Sequence, residues 1–269
     1  NQFIAAEKIT KDLNPTYGSI QKIHTRDADL IALCEDKVLR ILAQKDALFN
    51  ADGNPQLTST NRVLGQAMPF VGEYGISTNP ESFASESYRI YFADKTRGSI
   101  MRLSKDGLTA ISNHGMSDWF RDNLALNNKI IGSYDSRDKE YNVTLPETDT
   151  TVSFDEKVRG WVSFKSFVSE QALSCANNYY TVKEGKLWKH YEESVDRNNF
   201  YSNPHNSSVN VLLNDNPSVI KSFFTLSYEG SQSKIDQNLE DNDYYNLQDK
   251  KGWYVTDIIT NKQKGSLNE

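Results

Sequence analysis

Any chemistry in this chain would have to start from four histidines (His24, His114, His190 and His205), two cysteines (Cys34 and Cys175) and 36 Asp and Glu spread over 269 residues. A histidine works as a general base when a nucleophile and an orienting acid converge on it, and the local sign of a serine hydrolase is a Gly-x-Ser-x-Gly turn. No such turn occurs. The histidines are isolated from one another and no His-Glu-x-x-His is present, so each reads as a surface or turn residue. Each cysteine sits in its own apolar context with no CxxC, which predicts two buried free thiols in a reducing compartment.

Other sites fare no better. Ser104-Lys-Asp-Gly-Leu-Thr109 approaches the Asp-box composition of sialidases, but its glycine directly follows the aspartate and no aromatic follows Thr109, so it reads as an ordinary turn. The clusters Asn214-Asp215-Asn216 and Glu240-Asp241-Asn242-Asp243 lack the spaced ligands and glycine of a calcium loop and read as solvated turns. Neither Gly-x-Gly-x-x-Gly nor a Gly-x4-Gly-Lys loop exists to cradle phosphate. Asn142-Val-Thr144 and Asn206-Ser-Ser208 match the glycosylation pattern by chance. The expectation is a non-enzyme with no catalytic, cofactor-binding or metal residues. A formal charge of -6 argues against a surface built to grip phosphate backbone, which needs concentrated positive charge. No apolar run approaches the roughly 18 residues of a membrane helix, and the N-terminus lacks a signal-peptide layout, so a soluble chain without a membrane anchor is expected.

The elements that would hold such residues are strands. Composition is globular, with 37% hydrophobic residues, and the 11% aromatics favour β structure. Phe3 to Leu13 permits a short amphipathic helix. Leu30 to Leu33 and Val38 to Leu42 flank Glu35-Asp36-Lys37 as a hairpin. Phe49 to Ser82 loses periodicity amid turn signals and reads as a long ordered loop, which at that length either serves as an interface, the preferred reading, or hides strands. Strands are predicted at Tyr88 to Ala93, with Tyr88, Ile90 and Phe92 facing one way, then at Ser99 to Leu103 and Leu108 to Ser112. A helix capped by Ser117 fits Ser117 to Asn127, with Phe120 and Leu124 on one face. The meander resumes at Lys129 to Tyr134, Tyr141 to Leu145, Val152 to Phe154 and Trp161 to Phe164. A hairpin follows at Tyr179 to Tyr191, then a polar loop at Asp196 to Ser208. Later strands are predicted at Val209 to Leu213, Val219 to Tyr228 and Trp253 to Ile259, with a solvated insert at Gln237 to Lys251.

Strand starts recur about every 10 residues, the spacing of a sandwich, barrel or propeller. The fold class expected is mainly β, in antiparallel, β-propeller-like meanders with one or two short helices. Its organisation would be an N-terminal arm or short helix over 1–28, meanders over 29–192, and further strands with polar loops over 193–269. No fixed-period repeat stands out. The aromatics Tyr88, Phe92, Tyr141 and Phe154 alternate as core residues do.

Several of these segments carry a family resemblance. Arg26-Asp-Ala-Asp-Leu-Ile-Ala-Leu-Cys-Glu-Asp-Lys-Val-Leu39, Phe49-Asn-Ala-Asp-Gly-Asn54, Phe70-Val-Gly-Glu-Tyr-Gly-Ile76 with Asn79-Pro-Glu-Ser-Phe83, and Tyr91-Phe-Ala-Asp-Lys-Thr-Arg-Gly98 with Arg102-Leu-Ser-Lys-Asp-Gly-Leu108 resemble the stabilization or muzzle proteins of crAss-like phages. Gly115-Met-Ser-Asp-Trp-Phe120, Asn214-Asp-Asn-Pro-Ser-Val-Ile-Lys-Ser222 and Tyr228-Glu-Gly-Ser231 extend the match. In role these proteins are similar to the nozzle proteins of short-tailed phages.

The resemblance implies a propeller-containing structural subunit of the virion tail, in a distal nozzle or muzzle ring through which DNA is ejected, and it transfers no catalytic residues. It also implies a fragment of a longer protein, and partners that include ring copies, other parts of the same protein, neighbouring tail proteins, and DNA passing without specific binding. Assembly would occur in the host cytoplasm, and an acidic lumen would avoid trapping the DNA. The competing reading is a carbohydrate-binding or depolymerising tail module that uses Trp119, Trp161 or Trp188 as sugar platforms.

Overall fold

Short runs of alternating side chains broken by Asn, Asp and Gly turns produce a succession of antiparallel meanders. The structure, a computed structural model, describes residues 10–26, 29–49, 55–213, 215–222, 224, 256, 257 and 259. The first sheet holds β1 (Ile20–Arg26), β2 (Asp29–Cys34), β3 (Val38–Phe49) and β4 (Pro55–Pro69) in chain order. The second holds β5 (Ala84–Ser85), β6 (Ile90–Asp94), β7 (Ser99–Ser104) and β8 (Gly107–Ala110). Helix α1 (Ser117–Leu126) leads into the third sheet, with β9 (Ile131–Asp135), β10 (Glu140–Leu145), β11 (Thr150–Asp155) and β12 (Gly160–Lys165). A three-stranded sheet of β13 (Gln171–Cys175), β14 (Asn178–Lys183) and β15 (Lys186–Lys189) follows, then a two-residue hairpin of β16 (Asn199–Phe200) and β17 (Asn203–Pro204). This mainly β, propeller-like order of consecutive meanders is the one the strand spacing predicts.

Three hairpins share one device that no sequence period announces. Asp94, Asp135 and Asp155 each end a strand, and each carboxylate accepts a backbone N–H two or three residues on, from Arg97 (3.0 Å), Arg137 (2.9 Å) and Lys157 (2.6 Å). This local bond closes the turn before the next strand begins. Each turn finishes on a left-handed residue: Gly98, Lys139 and Arg159 have φ of 62°, 62° and 56°. The repetition lies in turn geometry at irregular spacing, which leaves the sequence itself without a fixed period.

The sheets stack through apolar layers. One core joins the first and second sheets through Ile31, Leu33, Val38, Ile90, Phe92, Met101 and Leu103. Another joins the second sheet, α1 and the third sheet through Tyr91, Ala93, Ile100, Phe120, Leu124, Tyr141, Val143, Leu145 and Phe154. Strand β6 is therefore buried on both faces, with Ile90 and Phe92 in one core and Tyr91 and Ala93 in the other. Each large side chain so buried contributes about 1.5–3 kcal/mol. The third sheet also meets the 3-10 turn Pro80–Ser82 that precedes β5 at Gly132, where a Cβ would lie 1.8 Å from the Ser82 carbonyl oxygen, so only glycine fits.

Several expectations are corrected. Tyr88 is 66% exposed and precedes β6 instead of joining the core, because the bend before the strand turns it outward. The expected loop from Phe49 to Ser82 contains β4, which pairs with β3 along its length; its Thr-Ser-Thr stretch has no apolar alternation to announce a strand. Strands β1 and β13 stand where none is expected, neither burying a side chain fully, and the expected polar loop Asp196 to Ser208 contains the β16–β17 hairpin. Ser117 is the first helical residue of α1 and Met116 the N-cap, with no side-chain cap bond. Cys34 is a buried free thiol as expected, but Cys175 is exposed, because it flanks the tight Ala176–Asn177 turn, both of whose residues have positive φ. Of the expected opening helix, residues 10–13 are not helical and the rest lies outside the described residues.

Residues 209–269 form a second unit. Within it Val209 to Leu213 is no strand: its apolar side chains are exposed and no neighbouring strand pairs with it among the described residues. The described residues of Val219 to Tyr228 and of Trp253 to Ile259 also carry no strand, and Gln237 to Lys251 lies outside the described residues. Around Asn216-Pro217 the chain turns, with the Val219 N–H donating to the Asn216 carbonyl at 3.1 Å and Lys221 Nζ donating to it at 2.8 Å.

Candidate functional site

The first strands of three successive sheets, β5, β9 and β13, converge on an open cleft of about 760 Å³. Strand β9 packs against both β5 and β13 there. Ser85, Glu86, Ser133, Tyr134 and Ser174 line it, together with Glu156 from the β11–β12 turn. The Glu86 carboxylate accepts from Arg89 Nη1 at 2.6 Å and from the Tyr134 hydroxyl at 3.2 Å. Glu156 accepts from the Tyr91 hydroxyl at 2.9 Å and from Arg102 Nη1 at 2.8 Å, and Arg89 Nε stands 3.7 Å away.

Two glutamates on a cleft invite a glycosidase reading, in which one acts as acid and the other as base or nucleophile. Here both are engaged by guanidinium and phenol donors. Burial, then the adjacent Glu156, pushes the Tyr91 phenol well above its usual range; burial and Glu86 do the same to Tyr134. These phenols are donors at neutral pH. The arrangement ties the third sheet's turn to the second sheet across their shared edge.

On its opposite face the third sheet meets β13–β15 through polar side chains. Ser133, Asn142, Thr144, Thr151 and Ser153 are all buried. The Tyr179 hydroxyl lies 2.7 Å from Ser133 Oγ and accepts from Asn142 Nδ2 at 3.2 Å; Ser153 Oγ donates to Asn142 Oδ1 at 2.6 Å. Thr144 and Thr151 hydroxyls pair at 2.9 Å, and Thr151 donates to the Phe167 carbonyl at 2.6 Å. The network satisfies the groups it buries, as a polar interior must. On β10 these polar residues alternate with the apolar Tyr141, Val143 and Leu145 of the opposite face.

The structure does not bring together the residues that the sequence singles out. Trp161 packs on Phe120 and Phe154, with ring centroids at 4.4 and 5.2 Å, and donates its indole N–H to the Ile111 carbonyl at 3.1 Å. Trp119 packs edge-on against Phe120 and Phe164, and Trp188 against Tyr201. Each indole packs against its own neighbouring rings, and no ring contact joins one of these tryptophans to another. His114 and His205 are exposed. His24 is half-buried 5.2 Å from Phe83, and burial followed by Lys22 lowers its pKa. His190, expected at a surface or turn, instead packs among aromatic rings, because Phe167 and Phe200 close over it from segments that sequence spacing does not connect. Among the described residues no three His, Cys, Asp or Glu gather as a metal site, and no helix is long and apolar enough to cross a membrane.

Comparison with known families gives two matches. The model described as Crassvirus muzzle protein matches residues 4–185, and that described as Crassvirus muzzle protein C-terminal domain matches residues 195–265. No curated protein matches the chain. Among solved structures, catalytically inactive virginiamycin B lyase from Staphylococcus aureus with quinupristin is similar at 9% identity and a TM-score of 0.39, over 68% of this chain and 55% of that one. The selenomethionine-substituted lyase from the same organism is similar at 7% identity and 0.35, over 67% and 57%. The chain thus spans little more than half of those structures, and likeness at this level carries no argument about fold or activity.

Proposed function

We propose that this chain, which belongs to the Crassvirus muzzle protein family, contributes to a ring at the distal end of a phage tail through which the genome leaves. The protein is a structural component of the virion. The observation that carries the finer reading is the pair of family matches, which together span nearly the whole chain. The architecture supports it: a conduit for a stiff polyanion needs walls that keep their shape, and sheets packed on both faces supply them. In this reading the chain is a scaffold and not an enzyme, with no catalytic, cofactor-binding or metal residues. It meets copies of itself, other parts of the same protein and neighbouring tail proteins, with DNA passing without specific binding, and it is assembled in the host cytoplasm. The meanders up to residue 192 would form the ring's body and 193–269 a separate region, a division supported by the second family match beginning at residue 195.

Electron cryomicroscopy of intact particles tests this. The β1–β15 meanders should fit density repeated around the tail axis at the distal end. Density for them on the capsid, or as a single copy off the axis, would overturn the ring.

A further inference from the structure

His190 follows β15 and sits where three parts of the first unit meet. Its ring centroid lies 4.9 Å from Phe167, 5.0 Å from Tyr179 and 5.9 Å from Phe200, the last belonging to the β16–β17 hairpin. Nε2 is 2.8 Å from Thr181 Oγ1, and the Tyr201 hydroxyl donates to that same oxygen at 3.0 Å. With Tyr201 donating into Thr181, the threonine proton is left to point at His190, which then accepts it as a neutral imidazole. This chain of Tyr201, Thr181 and His190 ties the hairpin to β14.

We propose that His190 is the pH-sensitive latch of this hairpin: neutral, it holds residues 199–205 against β14, and protonated, it releases them. An imidazolium at Nε2 donates, so the Thr181 hydroxyl can no longer donate to it, and a charge is placed among Phe167, Phe200 and Tyr179. The titratable surroundings do not help it. β12 presents Lys165, a like charge whose ammonium is 3.1 Å from Glu140 of β10. β14 presents the Tyr179 phenol. Tyr191 donates to Asp135 of β9 and lies under Arg137, with the guanidinium 4.5 Å from its ring, so that carboxylate is already engaged. Tyr201 is approached by the Glu170 carboxylate and Tyr191 also by Asp138, with exposed His205 beyond Phe200.

Tyr201 and Ser202 form the two-residue turn of the hairpin, with φ of 55° and 66°, and Tyr191, next to His190, has φ of 61°. Burial, then Lys165, lowers the His190 pKa from 6.5 to about 4. The closed state thus binds its proton less readily than an open one near 6.5, so closure is complete above that value and weakens as pH falls. Because Phe167, Tyr179 and Lys165 stay beside the ring when the hairpin leaves, only part of this shift belongs to closure, and the closed-to-open ratio should drop as pH falls from 6.5 to 4 by less than the roughly 300-fold that the full shift would give.

The test is a pH series of amide exchange on the full chain, read at the His205 N–H, which donates to the Asn198 carbonyl at 2.8 Å, and across the β16–β17 pairs. Protection there should fall between pH 6.5 and 4 while β6 and β10 stay protected, and His190→Phe should remove that dependence. Retention of the same loss in His190→Phe would assign it to a carboxylate and overturn the latch. Independently of any variant, an NMR titration of the wild-type imidazole at or above 6.5 also overturns it, whereas titration well below supports it.

Discussion

The third sheet has two unlike neighbours. Towards the second sheet it presents Tyr141, Val143 and Leu145 to an apolar layer completed by α1. Towards β13–β15 it presents Asn142, Thr144, Thr151 and Ser153 to a hydrogen-bonded one. Apolar burial is non-directional and scales with area, so the first interface supplies stability. The second returns only about 1 kcal/mol per satisfied bond, but heavily penalises a misplaced neighbour that leaves its donors unmet. One sheet therefore uses mass contact on one side and register on the other.

The sharpest way to break this contrast is to empty the apolar layer. Phe120→Ala removes a fully buried ring packed on Trp161 and Trp119, and should cost about 3–5 kcal/mol in denaturant unfolding. Tyr179→Phe keeps the ring and deletes one hydroxyl of the polar layer, stranding Ser133 and Asn142; about 1–3 kcal/mol is expected by the same measurement. If the tyrosine change proves the costlier, the division between the two interfaces fails. Thr144→Val is the mildest probe. Thr151 keeps its bond to the Phe167 carbonyl, so a shift of about 1 kcal/mol or less is expected in thermal unfolding.

That same contrast explains how far a single sequence can be read. Alternation locates β6, β7, β10, β11, β12 and β14 and names Phe92, Tyr141 and Phe154 as core, because apolar faces declare themselves by period. It is silent on the other face of β10, because a polar residue covered by a partner and one covered by water look identical in a single sequence, so nothing announces Asn142 and Thr144 as buried. β4 escapes for a related reason, being a paired strand whose Leu57 to Ser59 stretch stays exposed and carries no periodic signal. Candidate chemistry is harder still. Glu86 and Glu156 gather at the cleft from turns in different sheets, and His190 joins Phe167 and Phe200 from segments with no common motif.

A strand covered on both sides, as β6 is, also bears on how the chain acquires its shape. Neither face of the second sheet is shielded until a sheet from before it and one from after it have arrived, yet both of those lie next along the polypeptide. Contacts between the cores run from each sheet to its immediate successor, so the loops to be closed stay short and the nascent chain can condense in the order in which it leaves the ribosome. During that growth the first and second sheets each show a bare apolar face until the next sheet arrives, whereas the face the third sheet turns to its successor is polar. For the first two, the interval before the next sheet emerges is the moment at which a neighbouring nascent copy could pair wrongly.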